Sequence, residues 1–371
     1  MYDMPYEIEF IGVGNKSKTD ADAICFRWKE KYNDYHIGVY DGGLSEYGSV
    51  MANHLNRYYF GEKARKEKII DFVIVSHSDQ DHTVGLEDIL KNFNVQKLYM
   101  NRPWLYVDDV FDKVSDGRIT KESLERRLKD KYKYIQNLEN VAKEYKIPIY
   151  DAFQGDKIDK NERLQILSPS KEFYLQLLIE SDKTPLIESK SQLKGVSESL
   201  LQKIGNLKES WCNELLKEDV DTSAENEMSV ILHMNLDEKL LLTGDAGKRA
   251  LTEAMNYYEK IEENFLRENI NVIQVPHHGG RHNVTPKILN RLLGEKLEKG
   301  YCRRNIRAFV STAEESDHPK QMVVNAFLRR GVEIFATKGC TVRHNYGMDS
   351  RDGWSAVEPE QFSENVEDWR K

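Results

Sequence analysis

The sequence predicts an α/β fold, a sandwich of buried strands covered by amphipathic helices. Short apolar runs rich in Val, Ile and Phe recur along the chain, and such runs are typical of buried strands. Helical periodicity separates several of these runs, most clearly over residues 248–269. In addition, several predicted strands are followed at once by aspartate or histidine. We therefore expect these polar side chains to converge at one edge of the sandwich.

The order of the elements follows from the same patterns. Strands are predicted at residues 7–12, 23–28, 36–40, 72–76 and 96–100, and again at 228–234, 239–243, 271–275, 308–311 and 332–337. Helices are predicted at residues 49–59, 86–93, 120–146, 171–218, 248–269 and 319–330, the last with Pro319 as its first residue. A succession of strand, loop and polar cluster thus occurs in both halves of the chain.

Residues 102–226 differ from the rest because their pattern is polar and mostly helical. Two helical insertions are expected there, at about 103–147 and 171–220, on either side of a strand pair at 151–169. The composition shows no linker that would separate domains. We therefore expect a single domain, residues 1–371, in which the insertions form a lid or a docking face for a protein partner.

The most informative polar cluster follows the fourth predicted strand. It reads His77-Ser-Asp79-Gln-Asp81-His82, with Gly85 shortly afterwards. Imidazole and carboxylate groups are metal ligands, and their position at the end of a rigid strand brings them together before a metal arrives. A polar loop with histidines by chance is the alternative. Strand, spacing and glycine together favour a metal site.

Two later strands carry further candidates. Asp245 follows one of them, and the pair His277 and His278 follows the next. Taken singly, Asp245 would be read as a turn aspartate and His277 as a loop histidine. Together with the loop at His77, both are expected to be metal ligands.

The order of these motifs resembles the metallo-β-lactamase fold, and more closely the hydrolase domain of the ComEC-type DNA-uptake proteins. Besides the motifs above, the resemblance includes Asp22-Ala-Ile, Tyr-Asp41-Gly-Gly, Gly155-Asp156, Leu-Ser168-Pro169 and His318-Pro319. It covers nearly the whole chain outside the insertions. The resemblance implies an αββα sandwich with a dinuclear metal site at one edge, and hydrolysis of phosphodiesters in nucleic acid or nucleotides.

The resemblance also implies a set of metal ligands. The first metal would bind His77, Asp79 and Asp245, and the second would bind Asp81, His82, His277 and the same Asp245. Many proteins of this fold have a histidine at the position of Asp79 and another before Asp245. Here no histidine occurs between His82 and His233. The expected first site is therefore weaker and richer in oxygen, which shifts the two expected divalent ions from zinc toward manganese or magnesium.

Catalytic roles follow from this expected site. Asp81 would orient the attacking water, and His278 and His318 would contact phosphate or protonate the leaving oxygen. The alternative for both histidines is a supporting role in their loops. Four basic residues beside the motif loops are candidates for phosphate contacts, Lys16 and Arg281 above all, then Lys18 and Arg102. Single basic residues on loops are, however, often only solvated.

Three functions are compatible with these motifs. A metal-dependent phosphodiesterase or nuclease is favoured. The alternatives are a hydrolase of the same fold that acts on a lactone or thioester, and a non-catalytic binding module in a larger complex. A binding module has no use for convergent metal ligands, which argues against the last alternative.

Composition limits the substrate and the location. The formal net charge of −8 disfavours a broad nucleic-acid surface and favours nucleotides, short strands or a local basic groove. The four cysteines are far apart, which indicates free buried thiols in a reducing compartment. We expect a cytoplasmic protein without membrane association, because there is no signal peptide pattern and no apolar run near the length of a membrane span.

Overall fold

The structure is a computed structural model that describes residues 4–14, 16–30, 35–114, 119–184, 208–303 and 306–369. Its strands are β1 (Tyr6–Phe10), β2 (Ala23–Lys29), β3 (Tyr35–Gly42), β4 (Ile69–Ile70), β5 (Phe72–Ile74), β6 (Asn94–Val95), β7 (Leu98–Tyr99), β8 (Ile149–Tyr150), β9 (Leu164–Ser168), β10 (Ile231–Asn235), β11 (Lys239–Leu242), β12 (Val272–Gln274), β13 (Arg307–Val310), β14 (Glu333–Ala336) and β15 (Val342–Tyr346). Its α-helices are α1 (Ser45–Leu55), α2 (Gln80–Thr83), α3 (Leu86–Asn92), α4 (Val107–Val114), α5 (Lys121–Lys131), α6 (Lys133–Glu144), α7 (Lys171–Glu180), α8 (Ala224–Glu227), α9 (Lys248–Glu262), α10 (Pro286–Leu293) and α11 (Gln321–Arg329).

The strands form two large sheets. The first has the order β15-β1-β2-β3-β5-β7-β8 and the second has the order β14-β13-β12-β11-β10-β9, while β4 and β6 form a separate short pair. In each sheet part of the pairing is antiparallel and the remainder, β3 to β8 and β11 to β14, is parallel. Parallel neighbours need long connections. The helices α1 to α6 and α9 to α11 lie in those connections.

Three apolar clusters show how the layers pack. One lies between the two sheets, where the rings of Phe10 and Phe309 stack with centroids 5.2 Å apart. A second covers the outer face of the first sheet and includes Leu90 of α3, and a third covers the outer face of the second sheet and includes Leu251 of α9. The layers are therefore helix, sheet, sheet and helix. The αββα sandwich expected from the sequence is confirmed.

The first insertion packs against the first sheet instead of standing apart from it. Leu124 and Leu138, from α5 and α6, are fully buried in the same cluster as the outer face of that sheet. Thr120 caps α5 by accepting a hydrogen bond from the backbone of Ser123. The single helix predicted from Thr120 to residue 146 is divided at Tyr132, which has φ −98° and ψ 43°.

Other sequence expectations need correction. The strand pair predicted at 151–169 forms only in part. An antiparallel bridge joins Lys157 and Gln165, with backbone hydrogen bonds from Ile158 to Leu164 and from Ile166 to Asp156. The second half of this pair is β9 of the second sheet, whereas β8 precedes the pair and belongs to the first sheet. The second insertion contains α7, its residues 185–207 lie outside the described residues, and residues 208–220 are not helical. Pro319 precedes α11 and does not begin it.

Two further observations concern the composition. All four cysteines are free, but only Cys25 is buried, so the expectation of buried thiols is wrong for Cys212, Cys302 and Cys340. In the part of the chain that the structure describes, no helix has both the length and the apolar character needed to cross a membrane.

Candidate metal centre

The predicted metal loop connects β5 to α2, and the end of β3 holds it in place. Asp41 accepts hydrogen bonds from the backbone amide of Ser76 and from Nδ1 of His82, both at 2.8 Å. The loop is then fixed at Gly85, where an added Cβ would lie 1.9 Å from the carbonyl oxygen of Gly42. A larger residue at Gly85 would push the loop away from β3. This contact explains why glycine accompanies the ligands in the sequence.

Four buried side chains can hold a metal ion together, because each offers a ligand atom within 4.8 Å of the others. This four-residue cluster consists of Asp22, His82, Asp245 and His278. Nε2 of His82 approaches Oδ1 of Asp245 to 3.2 Å without forming a hydrogen bond. Asp81 lies beside the cluster, with its Oδ2 3.3 Å from Nε2 of His278 and 3.6 Å from Nε2 of His82.

His77 and Asp79 form the other side of the site, called here the His77 side. Nε2 of His77 is 3.8 Å from Oδ2 of Asp79 and 3.8 Å from Oδ2 of Asp245. Nδ1 of His77 lies 3.0 Å from Oγ of Ser76. Asp245 therefore belongs to the four-residue cluster and also approaches His77, the arrangement expected of a ligand shared by two sites.

The adjacent histidines after β12 point to different neighbours. Both adopt positive φ, 49° for His277 and 53° for His278, which turns the chain sharply. His278 donates from Nδ1 to the carbonyl of Ser311 at 3.0 Å and is buried, so its Nε2 faces the cluster. His277 contacts the carboxylate of Asp245 through Nδ1, and 37% of its side chain is exposed. The structure thus brings His278 into the cluster and leaves His277 at its rim, whereas the sequence suggested His277 as the ligand.

Asp22 and Asp41 are functional candidates that sequence reasoning did not identify. Both belong to motifs that carried the family resemblance, yet neither received a role. Asp22 reaches the site because its backbone amide bonds to the carbonyl of Asp81 at 3.1 Å, which joins the start of β2 to the metal loop. Asp41 acts through His82, as described above. The sequence did contain a signal for both residues: each is an aspartate near the end of a predicted strand, within a motif of the family resemblance.

His318 lies near His277, with ring centroids 6.5 Å apart. Its Nδ1 donates to Oδ2 of Asp20 at 2.8 Å, and Asp20 also accepts from the backbone of Ala313 and the hydroxyl of Ser316. Although burial raises the pKa of Asp20, the bond from His318 and the other donors lower it below its usual value. The ring of His318 is therefore fixed by an ionised carboxylate.

The basic candidates lie in different surroundings. Lys16 and Lys18 are exposed, and the backbone amide of Lys16 bonds to Glu314. Arg102 pairs with Glu139 at 3.2 Å, on the first insertion. Arg281 is buried against the C-terminal segment, where it donates to the carbonyl of Asp368 at 2.8 Å and lies over the ring of Trp369. Contact of these residues with substrate remains a prediction.

A cavity of about 340 Å³ opens next to the site. Its lining includes the cationic side chains of Arg281 and Lys320, the acidic side chain of Asp221 and three histidines, His277, His282 and His318. Burial and the charge of Arg281 lower the pKa of His282. The cavity therefore joins the rim of the metal centre to a surface with two cationic and three imidazole side chains.

The charges of the site depend on one another. Burial lowers the pKa of His82, but Asp245, Asp81 and Asp41 raise it well above its ordinary value. Burial also lowers the pKa of His278, and Asp22 and Asp81 raise it to about 10. Burial raises the pKa of Asp22. In the absence of a cation, protons on His82 and His278 balance the buried carboxylates, and a metal must displace these protons.

The residues fit a divalent cation. Within the described residues, five buried atoms at the site have no hydrogen-bond partner: both carboxylate oxygens of Asp22, Nε2 of His77, Nε2 of His82 and Oδ1 of Asp245. A buried polar atom left unsatisfied costs about 1–3 kcal/mol. A cation would satisfy several of these atoms at once, and mixed imidazole and carboxylate ligands suit zinc and manganese.

A second group, Glu9, Cys25 and His54, also brings potential ligand atoms within 4.8 Å of one another. Both carboxylate oxygens of Glu9 already accept from Arg351, and one also contacts Nε2 of His54. The negative charge of Glu9 is thus neutralised by side chains. This group is an ion-pair network and carries no metal assignment.

The layers of helix, sheet, sheet and helix define the class of fold, an αββα sandwich, and the four-residue cluster lies beside the loops that follow β5, β11 and β12. No protein-family model and no curated protein matches the sequence. Among solved structures, the crystal structure of a long form RNase Z from yeast aligns over 97% of this chain and 51% of that chain, at 10% identity and a TM-score of 0.41. The chain thus spans about half the length of that chain.

Proposed function

We propose that this protein is a metal-dependent phosphodiesterase, a cytoplasmic enzyme that acts on nucleic acid or nucleotides and belongs to the ComEC-like branch of its fold. The observation that carries the proposal is the presence of five unpartnered buried ligand atoms, from Asp22, His77, His82 and Asp245, in one site beside a cavity lined by Arg281, Lys320 and three histidines. Unpartnered polar atoms are costly unless a ligand satisfies them. The cationic and imidazole groups of the cavity favour an anionic ester over a neutral lactone or thioester.

We propose two divalent cations of unequal affinity, manganese or zinc, with magnesium as a weaker candidate. The tighter cation would bind the four-residue cluster with Asp81 beside it, and the weaker would bind between His77, Asp79 and Asp245. Bound cations supply Lewis-acid charge and make water more acidic.

The protein's own side chains would position and protonate the reactants. Asp81 is partly exposed and lies between His82 and His278, so its carboxylate can orient a water. Because Asp20 occupies Nδ1 of His318, Nε2 is the nitrogen available to the leaving oxygen or a phosphate oxygen. His277, at the rim of the cluster, can contact the same phosphate.

The size of the cavity bears on the substrate. A volume of about 340 Å³ lies at the lower end of the range for small-molecule sites. Such a cavity suits a nucleotide or the end of a single strand better than a long duplex, and the negative net charge points the same way.

We also propose that the chain is a single domain whose insertions shield the His77 side and offer a docking face for a protein partner. Both insertions reach the metal loop. The hydroxyl of Tyr134 on α6 donates to Gln80 at 2.8 Å, and Lys183 after α7 contacts Asp79. Helices that touch the loop in this way can restrict which substrates approach it.

A substrate panel tests the proposed activity. Protein loaded with manganese or zinc would be incubated with bis-(p-nitrophenyl) phosphate, single-stranded DNA, single-stranded RNA, duplex DNA, cyclic nucleotides, a lactone and a thioester. We expect phosphodiester hydrolysis that His82→Ala and Asp81→Asn abolish. Turnover of the lactone or thioester alone, dependent on His82, would contradict the proposal and support the other hydrolase function.

A further inference from the structure

Lys183 places a positive charge on the His77 side of the site. Its Nζ lies 2.7 Å from Oδ1 of Asp79 and 3.3 Å from Oγ of Ser78, both in the metal loop. The side chain is 32% exposed, and Asp79 is 35% exposed. The ammonium therefore lies at the mouth of the site, in contact with one of its candidate metal ligands.

The segment that carries Lys183 is held by buried hydrogen bonds. Ser181, which is fully buried, accepts from the backbone amide of Lys183 at 3.0 Å and donates to Glu225 at 2.5 Å. The hydroxyl of Tyr132 lies 3.0 Å from the same Ser181 oxygen. The ring of Tyr132 also lies 5.4 Å from Nζ of Lys183, within the range of a cation–π contact.

The interruption between α5 and α6 contributes to this arrangement. Tyr132 is the residue at which the predicted continuous helix is divided. Its buried ring and hydroxyl connect the first insertion to the segment after α7. Two insertions that are distant in sequence thus hold Lys183 at the metal loop through buried hydrogen bonds. An ordinary surface ion pair would not require this buried support.

The His77 side offers fewer cation ligands than the four-residue cluster. Among the described residues, the carboxylates of Asp79 and Asp245 each approach Nε2 of His77 to 3.8 Å, and Lys183 already contacts one oxygen of Asp79. A cation there would have to compete with the ammonium for Asp79.

We propose that the Lys183 ammonium supplies the positive charge on the His77 side and contacts a non-bridging phosphate oxygen of the substrate. Turnover then requires only the cation at the four-residue cluster, and the weaker cation on the His77 side is not needed for it. This inference rests on the proposed function and adds a substrate-contacting residue to it. In the hydrolysis, the water oxygen bonds to phosphorus, the ester P–O bond breaks, and the leaving oxygen takes a proton. Lys183 makes and breaks no covalent bond, and it offsets charge on the phosphoryl oxygens.

Measuring metal binding and phosphate binding separately shows whether Lys183 contacts phosphate or only influences the metal ligands. Manganese content would be determined after removal of weakly held ions, and binding of inorganic phosphate and dimethyl phosphate by calorimetry on manganese-loaded protein. We expect Lys183→Met to keep one tightly held manganese and to bind phosphate at least 10-fold more weakly. We also expect its kcat for phosphodiesters to fall about 100-fold, as for removal of one donor to a developing oxyanion.

Two further variants make the test specific. Lys183→Arg keeps the positive charge and should recover part of the phosphate affinity. Lys129→Met is a matched control, since Lys129 is 31% exposed, contacts Glu125 at 2.6 Å and lies near the ring of Trp104, away from the metal loop. This control should bind phosphate and turn over substrate as wild type does. Thermal melting of every variant checks that the fold is intact.

The possible outcomes separate this inference from the proposed function. Unchanged phosphate affinity in Lys183→Met, or a requirement of wild type for a second manganese, would overturn the role of Lys183. Phosphate binding that depends on Lys183, without hydrolysis of any phosphodiester, would support the anion contact and contradict the proposed activity. A wild-type protein that binds no phosphate would contradict both.

Discussion

The two sides of the metal centre both begin with a histidine of the same loop, but they are built very differently. Nδ1 of His82 is held by the buried carboxylate of Asp41, whereas Nδ1 of His77 faces only the hydroxyl of Ser76. Around Nε2 of His82 three more cluster members assemble, whereas Nε2 of His77 is 3.8 Å from its nearest carboxylates. A short motif can therefore supply two ligands, yet the rest of the fold decides which becomes a strong metal site.

The difference arises from the elements that meet each histidine. Asp22 directly precedes β2, Asp245 lies in the loop after β11, and His278 lies in the loop after β12, all parts of the sandwich. The His77 side instead meets the insertions, through Lys183. We expect the His82 side to bind metal, because its ligands come from the sandwich itself. We expect the His77 side to recognise the charge of the substrate.

The largest effect is expected for Asp245, because it lies between the two sides. Asp245→Ala removes a carboxylate that approaches both His77 and His82, so it should abolish tight metal binding and activity. Elemental analysis of protein purified without chelator, alongside wild type, measures the loss. Full metal content in this variant would show that Asp245 does not bridge the two sides.

A paired substitution tests the comparison itself. His82→Ala should remove the tightly held ion and all hydrolysis, since it deletes a cluster ligand and leaves Asp22 and Asp245 buried without its charge. His77→Ala should keep the tightly held ion and lower activity less. Metal titration monitored by calorimetry would check both variants. Equal metal loss in the two would mean that the sides are equivalent.

The parts of this site that are local in sequence could be predicted, and the parts that depend on distant contacts could not. The metal loop and its position after a strand were evident because four ligands lie within six residues. Whether His277 or His278 faces the cluster depends on two consecutive positive φ angles, which periodicity does not reveal. Lys183 lies more than one hundred positions from Asp79, and no pattern relates the two.

For the fold as well, features that are local in sequence could be predicted and those that depend on distant contacts could not. The αββα layers agree with the family resemblance, which rested on the order of the motifs along the chain. Thr120 was correctly read as a cap. The strand pair predicted at 151–169 is reduced to a short antiparallel contact around Lys157 and Gln165, because the hydrophobic pattern does not show how far two strands pair. Residues 208–220 have helical spacing but are instead anchored by ion pairs, such as Glu209 with the buried Arg329 at 3.2 Å. β15 was not predicted at all.

An intermediate effect is expected from Asp41, which contacts Nδ1 of His82 and the backbone amide of Ser76. Asp41→Asn keeps the shape of the residue but removes the charge that orients His82, and such a loss typically weakens metal binding about 10- to 100-fold. Asp71→Asn is the control, because Asp71 likewise accepts a backbone amide and approaches a histidine on β3, away from the metal loop. Manganese affinity measured by competition with a chelator should fall in the first variant and stay constant in the second.

The smallest effect is expected for His318, which lies at the rim beyond His277. His318→Ala leaves the four-residue cluster intact, so metal content should equal that of wild type. If Nε2 contacts phosphate or the leaving oxygen, kcat should fall about 10-fold, less than the roughly 100-fold or more that a general acid typically contributes. A leaving group such as p-nitrophenolate, which needs little protonation, should suffer less than a nucleoside. His36→Ala is the control, since His36 also pairs with an aspartate, 3.4 Å away, outside the site. Equal losses on both leaving groups would assign His318 to phosphate binding, and metal loss would make it part of the metal centre.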